Sequence, residues 1–385
     1  NAKVVITGGA GVNTITVSNS VNHGDTITAG AGNDVIQADN GDLTSVDVID
    51  SGDGTDTLKF TGNSTVLDAA FTGITNLETV TGGSGIEVQL TLGAEAAEAG
   101  VTTVTSTANA SETFTIGSGF TNDLTLNISE ETTNVTTVTA TGYTKTLTVK
   151  ATADELDQGT NVFTGGSGTN ILEVTSAAAN DTLDISSLTK FQQIVLKDDG
   201  DATDHTLTIT TADATVDDGA TFLIDGSGLT TDDMIVNISA DSNGINTVKG
   251  GGGIDQITAS ASDQGDTLEG GAGNDTFTFA HANLTSADTV DGGSGTDSII
   301  LSDASTATAT VVDADFTNVT NVETISHGDL SLTLTVGALA QAAGITTITG
   351  GTGTNTTTVG AGYTNNLSVT AVAGTEALTA SAYTG

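Results

Sequence analysis

A nine-residue phrase, Gly-Gly-x-Gly-x-Asp-x-apolar-x, returns along the chain. The clearest copy is GGAGNDTFT at Gly270–Thr278. GGSGTDSII (Gly292–Ile300), GGGGIDQIT (Gly250–Thr258), AGAGNDVIQ (Ala29–Gln37) and SGDGTDTLK (Ser51–Lys59) follow it closely. Glycines let the backbone curl so that carbonyl oxygens face inward, the Asp adds a carboxylate, and the last three residues run on as a short strand. An all-oxygen donor set on a turning backbone suits a hard cation, calcium above all.

The sixth position of each phrase sets the geometry. In the first half it falls on Asn13, Asp25, Asp34, Asp47 and Asp56, at spacings of 12, 9, 13 and 9. In the second half it falls on Asp255, Asp266, Asp275, Asp288 and Asp297, at 11, 9, 13 and 9. Alternation of this kind predicts a coil of about 20 to 22 residues with two strands and two turns, one tight and one looser. Asn13, Asp34 and Asp56 then share one edge, as do Asp255, Asp275 and Asp297. Asp25 with Asp47, and Asp266 with Asp288, fall on the opposite edge and are a second set of expected metal ligands.

Some loops depart from the pattern. Asn13, Asn170 and Asn355 stand where Asp is expected, and GGSGIEVQL (Gly82–Leu90) carries Glu87 there. Such loops either bind weakly or only hold the turn shape, for which Gly and Asn suffice. Two further acidic groups, Asp198-Asp199-Gly200-Asp201 and Asp232-Asp233, read as solvated surface or as ion sites.

Catalytic chemistry finds little support. His23, His205, His281 and His327 are scattered, no His-Glu-x-x-His or Gly-x-Ser-x-Gly occurs, and there is no Cys. The expectation is a protein that is not an enzyme.

Composition narrows the partners. Seven basic residues against 48 acidic ones give a formal net charge of -41. That surface repels nucleic acid and anionic membrane, both of which require basic patches. No stretch of about 18 apolar residues is present to insert into a bilayer. With 36% apolar and 3% aromatic residues, a core must be built from thin, β-branched layers. The absence of Pro fits nearly continuous sheet. The absence of Cys leaves a metal as the available staple. The opening NAKVVITGGAG has no charged-then-apolar leader pattern and suggests a piece of something longer.

The elements that must position these loops are strands. Gly24–Leu58 returns as Gly265–Ile299 without a gap, an offset of 241 residues, and roughly 1–125 returns as 243–370. Long self-similarity marks a modular, quasi-linear protein. Between the glycine clusters, stretches such as Leu124–Ala151 and His205–Gly228 alternate apolar residues with Thr or Asn, the period of a strand. GAEAAEAG (Gly93–Gly100) and GALAQAAG (Gly337–Gly344) read as brief helices at breaks, each with Gly in the C-cap position. The expected fold is all-β: a parallel β-roll and β-helix solenoid. Residues 1–60 and 243–300 form two rolls. Residues 61–242 and 301–385 form the solenoid segments that follow them.

The five strong nonapeptides resemble the repeats-in-toxin (RTX) β-roll. The phrases F-T-x-[IV]-T-N-[LV]-E-T-[VI] and A-G-[VI]-T-T-[VI]-T resemble segments of Gram-negative surface-layer proteins and large RTX surface proteins. The resemblance implies calcium between consecutive glycine loops. Asp34 would share an ion with Asp56, Asp255 with Asp275, and Asp275 with Asp297. Carbonyls would come from Ala29, Ala31, Asn33, Ser51, Asp53, Thr55, Gly270, Ala272, Asn274, Gly292, Ser294 and Thr296. It also implies type I export to the cell surface, self-association into a lattice or filament, and a cell-surface polysaccharide as anchoring partner. An RTX adhesin stalk, or the non-catalytic secretion domain of an exported enzyme, is the alternative.

Overall fold

The computed structural model describes residues 3–17, 24–39, 41–106, 111–128, 135–156, 161–176, 180–183, 185, 188–200, 203–212, 219–262, 264–302, 309–327, 331–371, 375–380 and 383. His23 and Asp201 lie outside them. Alternating side chains turn one face of each strand inward, and the strands pair in parallel among the described residues, as a coiling chain requires. The fold is a β-solenoid with a few short helices. It divides into two compact units, residues 1–175 with 187–192, and residues 176–186 with 193–385.

In the first unit, eight strands from Thr14–Thr16 to Asn170–Thr175 follow one another in a single order along one sheet. A four-stranded and a six-stranded sheet supply the other strands of its coils. Register keeps like above like. Ile15, Ile36, Leu58, Val80, Val104, Leu126, Val149 and Leu172 pair in sequence as one apolar column. All eight are buried. Each such side chain contributes about 1.5–3 kcal/mol through removal from water. The column is the core that a composition poor in aromatics can build.

The second unit repeats the plan. Its nine-stranded sheet stacks Leu183, Ile209, Val236, Ile257, Phe277, Ile299, Ile325, Ile348 and Val369. A second column runs from Ile194 through Ile224, Val248, Leu268 and Val290 to Val319.

The two alanine-rich helices, Ala94–Ala99 and Ala338–Ala343, end at Gly100 and Gly344, whose φ values of 107° and 105° place them in the left-handed region. Each helix takes the place of a turn between two strands of a coil. Its N-terminus is capped from the coil before: Gly93 and Ala96 N–H groups donate to Asp68 Oδ1 at 2.7 and 2.9 Å. Gly337 and Ala340 donate to Asp313 Oδ1 at 2.6 and 3.0 Å. Asp68 and Asp313 open two short 3-10 turns, Asp68–Phe71 and Asp313–Phe316, and a further helical turn spans Ala153–Leu156. Among the described residues, no helix is long and apolar enough to cross a membrane.

Candidate metal centre

The glycine loops stack along one edge, and their sixth-position side chains are tied by a ladder. Asn13 N–H donates to Asp34 Oδ1 at 2.6 Å, Asp34 N–H to Asp56 Oδ1 at 2.7 Å, and Asp56 N–H to Glu78 Oε2 at 2.8 Å. In the second unit Met234 N–H donates to Asp255 Oδ1 at 2.7 Å. Asp255 then donates to Asp275 at 2.8 Å, Asp275 to Asp297 at 2.7 Å, and Asp297 to Glu323 Oε2 at 2.8 Å.

The ladder occupies one oxygen of each carboxylate. The other oxygen divides the loops into two kinds. Oδ2 of Asp34, Asp56, Asp275 and Asp297 is buried with no hydrogen-bond partner, and none of these residues is more than 1% exposed. A desolvated carboxylate oxygen without a donor is costly, about 1–3 kcal/mol or more when charged. Asp255 belongs to the other kind, because Gly251 N–H donates to its Oδ2 at 2.8 Å.

Backbone conformation tracks this division. Gly30 with Gly32, Gly52 with Gly54, Gly271 with Gly273, and Gly293 with Gly295 all have φ between 90° and 150°. Gly251 and Gly253 lie outside that region. The glycines of the first kind therefore turn peptides that L-residues with side chains would resist, and the carboxylate in the same loop is left without a donor.

Carbonyl oxygens face the same space as the Oδ2 atoms of both kinds, and at Gly250 the point a Cβ would occupy lies 2.2 Å from Asp255 Oδ2 and 2.0 Å from Gly270 O. At Gly270 the point a Cβ would occupy lies 2.4 Å from Asp275 Oδ2 and 2.6 Å from Gly292 O. At Gly292 the same point lies 2.6 Å from Asp297 Oδ2 and 1.9 Å from Asn321 O. Only hydrogen leaves this space open.

The remaining expected ligands take several places. Ala31 bridges Asp53, and Ala272 bridges Ser294, as isolated parallel pairs. Asp53 O and Ser294 O accept from Gly32 and Gly273 N–H at 2.8 and 2.9 Å. Asn33 and Asn274 side chains stitch loops together, accepting from Thr55 and Thr296 N–H at 3.1 and 2.9 Å. Ser51 N–H donates to Thr75 O, and Ala29 O accepts from the Asn13 amide. Among the described residues no three His, Asp or Glu side chains converge, so a cation on this edge must draw on carbonyls as well as carboxylates.

Burial sets the electrostatics. It pushes the Asp255 carboxyl up to about 7 and Asp275 to about 6. Asp56 and Asp297 are raised by burial first, with Glu78 and Glu323 adding like-charge repulsion.

The opposite edge carries the same ladder with a different end. Asp25 N–H donates to Asp47 Oδ1 at 2.7 Å and Asp266 N–H to Asp288 Oδ1 at 2.9 Å. Here the second oxygen is satisfied. Thr44 N–H and hydroxyl donate to Asp47 Oδ2 at 2.7 and 2.9 Å. Thr285 does the same for Asp288 at 2.8 and 3.2 Å, and Ser260 N–H and hydroxyl hold the two oxygens of Asp266.

Asparagine loops supply their own hydrogens. Asn13 Nδ2 donates to Gly11 O at 2.5 Å, Asp34 Oδ1 at 3.0 Å and Ala29 O at 3.1 Å. Asn170 Nδ2 donates to Lys190 O at 2.8 Å, Gly168 O at 2.9 Å and Gly166 O at 3.2 Å. Asn355 Oδ1 accepts from Leu332 N–H at 3.1 Å.

Glu87 stands off the ladder. Its N–H donates to Asn63 Oδ1 at 3.1 Å and its Oε1 accepts from Gln89 at 3.2 Å. The ladder is closed instead by Glu78, Gln192 and Glu323, each two residues after a positive-φ residue, Asn76, Lys190 and Asn321. The signal for these three lies in I-T-N-L-E, L-T-K-F-Q and V-T-N-V-E, at residues 74–78, 188–192 and 319–323.

The other acidic groups have local donors. Asp198 accepts from Gly200 N–H and from Thr230, bonds that hold its carboxyl low. Asp232 Oδ1 accepts from His205 N–H at 3.1 Å while its Oδ2 is buried without a hydrogen-bond partner, and Asp233 accepts from Ile254 N–H at 2.5 Å.

No family model, no curated protein and no solved structure matches this chain.

Proposed function

We propose that the chain is a structural protein of the cell exterior, stapled by calcium along its glycine edges and joined copy to copy into a surface layer or filament. One observation carries the reading: four buried Asp side chains each keep an oxygen without a hydrogen-bond donor, on the edge where the glycine phrase recurs. Asp34, Asp56, Asp275 and Asp297 would hold the ions, with carbonyls such as Gly292 O and Asn321 O completing the oxygen set. Calcium, when bound, supplies positive charge to a row of carboxylates on a chain of net charge -41.

The resemblance of the phrase to RTX repeats supports calcium and export. The 241-residue duplication and the apolar columns support a scaffold, since they repeat architecture along the chain. Millimolar calcium outside a cell would fill sites that cytosolic calcium leaves empty.

Circular dichroism in excess chelator and in millimolar calcium tests the stapling, and electron microscopy of the calcium form tests the assembly. The expected results are sheet content that rises with calcium and particles that join into sheets or fibres. Equal sheet content in both conditions would sink the first part, and isolated particles at high concentration would sink the second.

A further inference from the structure

Each ladder of glycine loops ends on a residue that is not part of a glycine loop. After Asp56 and Asp297 it is Glu78 and Glu323, and after Asn170 it is Gln192. The three ends share one geometry. The loop residue's N–H donates to the side-chain carbonyl or carboxylate oxygen of the closing residue at 2.8 Å in all three. Two residues before it stands a non-glycine residue at φ 58°, 60° or 52° (Asn76, Lys190, Asn321).

What differs is charge, and it differs in pairs. The neutral Asn170 is closed by the neutral Gln192. The acidic Asp56 and Asp297 are closed by acidic Glu78 and Glu323. In the neutral copy nothing is missing. Asn170 Nδ2 donates to Lys190 O at 2.8 Å and reaches Gln192 Oε1 at 3.4 Å, while Gly166 N–H donates to Asn170 Oδ1 at 2.9 Å. The amide nitrogen sits among oxygens and brings its own hydrogens.

In the acidic copies the same place has no donor. Asp297 is 1% exposed and its Oδ2 has no partner. Asn321 O, the counterpart of Lys190 O, lies 1.9 Å from the Cβ point of Gly292, and Asp297 Oδ2 lies 2.6 Å from it. Glu323, whose Oε2 accepts the Asp297 N–H at 2.8 Å, stands across the same step with a second negative charge. Asp56, 0% exposed with Oδ2 unpartnered, stands in the same way against Glu78, whose Oε2 accepts its N–H.

We propose that Asp297 with Glu323, and Asp56 with Glu78, are closing sites for a hard divalent cation. The ion takes the place that the Asn170 amide nitrogen takes in the neutral copy, with the Asn321 or Asn76 carbonyl as a further ligand. The closing glutamate is a ligand, and its exchange for Gln together with Asp for Asn makes a loop independent of metal. The inference rests on the reading that this edge binds cations, and adds to it the residues that close each row.

Calcium stoichiometry of the full chain, by isothermal titration and by terbium luminescence, tests it. Glu323→Gln and Glu78→Gln keep an acceptor for the ladder N–H and so keep the fold. Each should lower the stoichiometry by one ion. Asn170→Asp with Gln192→Glu should raise it by one. Wild-type protein that binds calcium while both glutamine variants keep full stoichiometry and the double variant gains nothing overturns the closing sites alone. Wild-type protein that binds no calcium overturns the wider reading with them.

Discussion

The two edges of the coil use the same residue for different ends. On both, an Asp accepts the N–H of the Asp one coil before it, at 2.7–2.9 Å. On the looser edge a Thr or Ser nearby in sequence satisfies the remaining oxygen, so Asp47, Asp266 and Asp288 are complete within the protein. On the glycine edge four carboxylates are left incomplete, and the glycines beside them are turned to positive φ. A ladder of carboxylates is therefore compatible with either a self-sufficient turn or a metal-dependent one. Donors nearby in sequence separate the two: Thr44, Ser260 and Thr285 complete the carboxylates of the looser edge, whereas the loops with positive-φ glycines offer Asp34, Asp56, Asp275 and Asp297 no second donor.

The largest effect should come from removing the cation proposed for the glycine edge. At about 100 times its dissociation constant a ligand adds roughly 2.7 kcal/mol per site. Four sites at the orphaned oxygens then contribute on the order of 10 kcal/mol, as much as a whole domain's stability. Chelator should lower the melting temperature by tens of degrees. Hydrogen exchange should quicken first at the amides of residues 29–34, 51–56, 270–275 and 292–297. The amides of Asp25 and Asp266 should stay protected longer. Uniform loss along both edges would erase the distinction drawn between them.

A second effect concerns pH and has a definite sign. Burial raises the folded-state carboxyls of Asp255 to about 7 and Asp275 to about 6, above the unfolded value of 3.8. A raised folded pKa means that the folded chain holds protons the unfolded chain releases. The resulting stability is fully present below 3.8 and is lost as pH rises to about 7. In chelator, then, the chain should grow more stable by a few kcal/mol between neutral and mildly acid pH. In calcium the slope should shrink or reverse, because protons compete with the ion. Chemical denaturation at several pH values, with and without calcium, gives both slopes. A fall in stability on acidification in chelator contradicts the assignment.

Asp275→Asn should act in opposite directions in the two solutions. Without calcium it removes a buried charge flanked by Asp297 and Asp255, and its amide gains the acceptors that Asn13 and Asn170 find. Stability in chelator should rise by about 1–3 kcal/mol. With calcium it should fall by about 3 kcal/mol for each ion lost. A variant that moves the same way in both solutions would remove the metal from the explanation.

Much of the scaffold was legible in the sequence, because each feature rests on local chemistry. Spacings of 20 to 22 residues place Asp34 over Asp56 and Asp275 over Asp297, where the ladder joins them. Period-two stretches become strands such as Leu147–Thr152, and Gly100 and Gly344 end their helices. The closure of the ladder was not legible. Glu87 sits at the sixth place of a glycine phrase and still stands off the edge, while Glu78 takes its place after a three-residue turn built on Asn76. A turn made by a left-handed Asn is shorter than one made by glycines, so counting from the phrase overshoots. Asp255 illustrates the other gap. It fits the phrase as well as Asp275 does, yet whether its second oxygen finds Gly251 N–H depends on φ at two glycines, which residue names do not encode. Asp68 and Asp313 accept from helix-start N–H groups 24 to 28 residues later in the chain, contacts that exist only once the coils stack.

The smallest effect belongs to the looser edge. Thr285→Val removes the hydroxyl that donates to Asp288 Oδ2 at 3.2 Å but leaves the Thr285 backbone N–H at 2.8 Å. One hydrogen bond to a carboxylate contributes about 1–2 kcal/mol, and the retained N–H bond keeps the oxygen from being orphaned. Thr44→Val should behave alike at Asp47. The change in melting temperature should be a few degrees and the same with calcium as with chelator, since Asp47 Oδ2 and Asp288 Oδ2 already have donors within the protein. If Thr285→Val instead changes calcium affinity by tenfold or more, the two edges are coupled through the strand Thr289–Asp291, and the contrast between a complete turn and an incomplete one must be redrawn.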